Sequence, residues 1–123
     1  MAFLSNLTTI TSIPLRSFDS VLYVNKYRLM ESIRGWFEEE SKKEEIESKR
    51  KDIFTLQMIE CDGYIYPHPS PGVIVRGVVT NPLLNDFECF HLLYSFFQHL
   101  LVDCGQEKIV WSFDGMTHII NRK

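Results

Sequence analysis

The chain has 123 residues, 45% of them hydrophobic and 24% charged, with a formal net charge of -3. This is the composition of a single globular domain with one modest core. The acidic balance argues against a nucleic-acid partner, because neutralising phosphates needs a basic face. No run reaches the roughly 18–20 apolar residues of a membrane span.

Residues 1–17 are rich in Ser and Thr and are interrupted by Pro14, so they read as a loose arm ahead of one α+β domain at 18–123. The arm has no positive region before its apolar residues, which makes it a poor secretory signal and points to a cytoplasmic protein. A short extended piece is expected at Ser20–Val24. Asn25 then caps a helix that starts at Lys26, with Leu29, Met30, Ile33, Trp36 and Phe37 as its apolar stripe. The block Glu38–Asp52 carries one large apolar residue, Ile46, and reads as a solvated helix extension or a mobile charged loop.

A β region follows. Ile53–Cys61 alternates, with Phe54, Leu56 and Met58 on one face. Asp62-Gly63 signals a hairpin into Tyr64–Tyr66. Pro67, Pro69 and Pro71 make a stiff loop, and Val73–Thr80 resumes as a strand, with Gly77 marking a bulge or close approach. Asn81-Pro82 ends it. Asn85 and Glu88 form a capping-box pattern before a helix at Asp86–Val102, and Gly105 sits at its C-terminal cap. The chain ends in a hairpin, Lys108–Phe113 and Met116–Asn121, joined by Asp114-Gly115. A two-residue turn sets Phe113 opposite Met116 and Trp111 opposite His118. Ile109, Trp111, Phe113, Met116, His118 and Ile120 then share the face expected to be buried. The order predicts a mostly antiparallel five-stranded sheet with two main helices.

Chemistry is sparse in this reading. Cys61, Cys89, His91, His99, Cys104 and His118 show no CxxC, HxxxH or HExxH spacing, so no metal is expected. The odd number of cysteines fits reduced thiols in a cytosolic chain, with an intermolecular bridge through Cys104 as the minority alternative. Ser95 lacks a nucleophile elbow, and Asp62 and Asp114 read as turn residues. The glycines form no phosphate loop. No catalytic residue, cofactor or enzymatic activity is therefore assigned.

The aromatic residues speak instead for protein binding. Aromatics are 13% of the chain, and the second helix is apolar on almost every face, which asks for cover on more than one side. A second copy or a protein partner is the expected source of that cover.

The order of elements, carried by IFTLQMIECDGYIY, VIVRGVV, FHLLYSFFQHLL and KIVWSFDGMTHIIN, resembles the type III secretion chaperones that escort single effectors. The resemblance covers about Leu29 to Asn121. It implies a homodimer through the second helix, with Phe90, Leu93, Tyr94, Phe97 and Leu101 as the expected oligomer interface, and an effector groove near Trp36, Phe37, Phe54, Leu56 and Met58. The reading is a non-enzymatic, dimeric chaperone or sequestering regulator of a partner protein. The alternatives are a viral or mobile-element accessory protein that inhibits a host factor through an oligomeric surface, and a small-molecule binder with His118, His99 and Cys104 converging on a cavity.

Overall fold

A strand runs earlier than hydrophobicity announces. In the structure, a computed structural model that describes residues 16–43, 54–65 and 67–122, β1 spans Ser17–Leu22. Its alternation is hidden by polar residues on both faces. Phe18, Ser20 and Leu22 point inward and Ser17, Asp19 and Val21 outward. The buried Ser20 hydroxyl is satisfied by donating to the Val110 carbonyl at 2.8 Å. Arg16, expected in the arm, is buried as well. Its Nη1 donates to the Leu84 carbonyl at 2.6 Å and its Nη2 pairs with Asp86 at 3.4 Å, which ties the start of β1 to the start of the second helix.

Helix α1 (Lys26–Ser41) begins as the sequence predicts, with the Asn25 side chain accepting from Arg28 N at 2.8 Å. The charged block continues it only to Ser41, and residues 44–53 lie outside the described part. Strand β2 (Phe54–Cys61) follows. The Asp62-Gly63 hairpin back onto β2 is not formed. Instead β3 (Tyr64–Ile65) pairs with β4 (His68–Pro69), inside the stretch expected to be a loop, as a separate two-stranded ribbon. Strand β5 (Gly72–Val79) is the element that pairs with β2, through eight residue pairs from Phe54–Val79 to Cys61–Gly72.

Helix α2 (Asp86–Asp103) carries the full capping box predicted at Asn85 and Glu88. It ends in a Schellman motif: Gln106 N donates to Leu101 O at 2.9 Å and Gly105 N to Val102 O at 3.3 Å, with Gly105 at φ +66°. Arg28 Nη2 also donates to the Asp103 carbonyl there. The terminal hairpin, β6 (Lys108–Phe113) and β7 (Met116–Asn121), has the predicted register throughout. Asp114 and Gly115 both take positive φ, as a type I′ turn requires.

All pairings in the five-stranded sheet are antiparallel, in the order β2-β5-β1-β6-β7. The fold is α+β, with both helices on one face. The core lies between that face and the helices, and holds Phe18, Leu29, Trp36, Val75, Phe96, Phe97, Leu100 and Trp111. One expected core residue is displaced: Met116, at the turn end of edge strand β7, is 65% exposed. No described helix is long and apolar enough to cross a membrane.

Candidate functional site

The expected oligomer interface is largely consumed inside the chain. Leu93 and Phe97 are fully buried and Leu101 nearly so, while Phe90 is half-buried against Trp111 and His118, with ring centroids at 5.5 and 4.9 Å. Only Tyr94 keeps substantial surface. The sheet covers α2 on one side and α1 on another, while Phe87, Tyr94 and Val102 stay exposed. The expected partner groove meets the same fate. Trp36 is buried, stacked on Phe54 at 5.9 Å and edge-on to Phe96 at 5.1 Å. Phe54, Leu56 and Met58 pack against the core, and Phe37 alone stays exposed. His118 does not join His99 and Cys104: it packs on Phe90 and Trp111, whereas His99 Nε2 lies 3.0 Å from the Ser32 carbonyl and the buried Cys104 thiol meets the Ser32 side chain at the end of α2. No group of metal-ligating residues occurs among the described residues.

A cleft lies on the other side of the sheet. The registers align two rows across the face that the helices leave open. One is polar: Gln57, Arg76, Asp19, Ser112 and Thr117 sit side by side on β2, β5, β1, β6 and β7. The next is β-branched: Ile59 pairs with Ile74, Ile74 with Val21, and Val110 with Ile119, Val110 lying one step past the last β1–β6 pair. Over this floor, the end of β1, the β3–β4 ribbon and the α2–β6 loop enclose a cleft of about 1030 Å³. Val21, Ile74 and Val110 form its apolar base, Ile65 and Tyr23 its walls, and Asp19, Arg76, Glu107 and Lys108 supply charges of both signs.

Tyr23 is the aromatic wall, and three features hold it. Gln106, delivered by the Schellman turn, accepts from Tyr23 N through Oε1 at 3.1 Å and donates through Nε2 to Tyr23 O at 3.3 Å. The amide thus imitates a strand neighbour where β1 has run out of one. Its Nε2 also donates to the Cys104 carbonyl at 3.1 Å. The Tyr23 ring lies against Gly72, where a Cβ would come within 3.3 Å of Cδ1 and 2.7 Å of the Leu22 carbonyl. Tyr23 is 40% exposed, which leaves surface for a planar ligand.

None of these residues stands out in the sequence, because the cleft is assembled from positions scattered over most of the chain. The available signal was the outward half of each strand's alternation. Val21, Ile59, Ile74, Val110 and Ile119 are apolar where a solvated face calls for polar residues.

The cysteines are free: Cys89 and Cys104 are buried and Cys61 half-buried. Burial pushes both the Cys89 and Cys104 thiols up from their ordinary value. Little of the Cys104 side chain is left exposed for a bridge between chains. Titration of the native protein with an aromatic disulfide reagent is expected to modify Cys61 first and to reach the other two only after denaturation. Equal rates for all three thiols would contradict this placement.

No protein-family model matches the chain. No curated protein matches it in sequence. Among solved structures, a phage SAM lyase in complex with S-methyl-5'-thioadenosine has the same fold, with a TM-score of 0.61 and 9% identity, over 94% of this chain and 97% of that one. This likeness overturns the resemblance to type III secretion chaperones, and with it the reading as a non-enzymatic chaperone or sequestering regulator. The order of elements suggested that family, but order does not specify neighbours. Here β1, which precedes the first helix, occupies the centre of the sheet.

Proposed function

We propose that this chain is an enzyme of the SAM-lyase type, which binds a thioadenosine ligand on the open face of its sheet and breaks a carbon–sulfur bond. The observation that carries this reading is the make-up of the cleft: an aromatic wall, a β-branched base and charges of both signs, in a volume suited to a nucleoside-sized ligand. The fold shared with a lyase that holds S-methyl-5'-thioadenosine supports it. That molecule is the thioether left when S-adenosylmethionine loses its amino-acid chain from sulfur. In a lyase step the bonding pair goes to sulfur, and the departing chain loses a proton to a base or closes on itself. Glu107, which lines the cleft, is the carboxylate offered as that base. Sulfur begins as a cation and ends neutral, so a base of Val21, Ile74 and Val110 favours the change more than water does. Tyr23 offers its ring to the adenine.

The test is to incubate the purified protein with S-adenosylmethionine and follow S-methyl-5'-thioadenosine by liquid chromatography. Product is expected to accumulate in proportion to enzyme. Tyr23→Ala is expected to raise KM about tenfold, the usual worth of one base–aromatic stack, with the thermal midpoint little changed. Neither turnover nor binding of either molecule by the wild-type protein would reject the reading. The phage origin of the matching lyase supports a second, compatible element: an accessory role in a virus or mobile element, exerted by removing a metabolite.

A further inference from the structure

On the strength of that lyase reading, the geometry points to a built receptor for a zwitterionic α-amino-acid group at Asp19 and Arg76. The two residues are direct cross-strand partners on β1 and β5, and both are exposed on the open face. Neighbours of opposite charge on adjacent strands ordinarily close on each other. Here each is drawn outward. Arg76 Nε donates to Gln57 Oε1 on β2 at 3.4 Å, and Asp19 Oδ1 accepts from Ser112 Oγ on β6 at 2.6 Å. No ion pair joins Asp19 to Arg76 among the described residues.

A cation and an anion are thus presented side by side and held from opposite flanks. An α-carboxylate laid on Arg76 and its α-ammonium laid on Asp19 satisfy both charges at once, and the guanidinium's fork suits a carboxylate. The pair lines the 1030 Å³ cleft and also a second cleft of about 640 Å³ along β1, β5 and β2, so it stands where the two meet. A ligand with its nucleoside near Tyr23 would extend its amino-acid end along the sheet to this point. Asp19 and Arg76 are therefore the residues that distinguish a thioadenosine with its amino-acid chain from one without it.

The experiment compares two stable ligands by calorimetry. S-adenosylhomocysteine keeps the amino-acid group but has no sulfonium to cleave, whereas S-methyl-5'-thioadenosine lacks the amino-acid group. Wild type is expected to bind the first more tightly. Asp19→Asn and Arg76→Gln are each expected to weaken S-adenosylhomocysteine about tenfold, the order expected of a hydrogen bond between charged groups, and to leave S-methyl-5'-thioadenosine within twofold. Loss of both ligands by the same factor would show that the pair acts only on the shape of the sheet, and unchanged affinity for both would show that it touches neither; each result overturns the proposal. Wild-type protein that binds S-methyl-5'-thioadenosine but gains nothing from the amino-acid group would overturn this assignment alone. Wild-type protein that binds neither ligand and does not cleave S-adenosylmethionine would remove the lyase reading as well.

Discussion

Phe97→Ala is expected to lower the stability of the fold by about 3–5 kcal/mol, the range for truncating a buried phenylalanine. Phe97 has no exposed surface. Its ring stacks on Trp111 at 5.1 Å and meets Phe96 at 5.1 Å and Phe18 at 6.1 Å edge-on, so it joins α2 to the two central strands β1 and β6. Removing it opens a cavity among rigid aromatic rings that have little freedom to collapse. Domains of this kind are stable by only about 5–15 kcal/mol, so urea unfolding should show the midpoint fall by a large fraction. Phe97→Asp is more severe, because it buries a charge with no partner. With Phe97 fully buried, that substitution is expected to unfold the chain. A loss below about 1 kcal/mol for Phe97→Ala, well under the cavity range, would mean that this core is not packed as described.

Gly77→Ala is the second large effect. A Cβ at this position would stand 1.9 Å from the Thr55 carbonyl oxygen, 2.8 Å from Phe18 Cζ and 3.0 Å from Leu56 Cα. Two of these are backbone atoms of β2, which cannot swing aside as the end of a flexible side chain can. Gly77 pairs with Leu56 on one side and Phe18 on the other, so the strain falls on both seams of β5. We expect a cost of about 3 kcal/mol, the upper part of the overpacking range, read as a lowered thermal midpoint. Because β5 also carries Ile74 and Arg76, ligand binding at the cleft should fall as well. An unchanged midpoint would show that β2 and β5 separate freely.

Local physics made much of this fold legible. The caps at Asn25 and Asn85, the alternation of Phe54, Leu56 and Met58, and the Asp114-Gly115 turn depend on neighbours within a few residues, so the sequence carries them. The hairpin register followed from the turn alone. Strand β1 was placed three residues late because Ser17, Asp19 and Ser20 mask its period. The Asp62-Gly63 signal misled because β2 found its partner in β5, beyond the β3–β4 ribbon.

The candidate site was barely legible. Asp19 and Arg76 are 57 positions apart and become neighbours only when β1 inserts between β5 and β6. Tyr23 becomes a wall only when Gln106 arrives at the end of α2. Likewise, the breadth of apolar surface on α2 was plain in the sequence, but whether a second copy or this chain's own sheet covers it was not. By itself the sequence determined the two helices, strands β2 and β5 and the final hairpin, because each is set by short-range periodicity, capping or turn chemistry. The tertiary structure alone decided strand order, which side chains of α2 are buried within the chain and the cleft on the opposite face, because long-range pairing depends on the mutual fit of surfaces that no local pattern records.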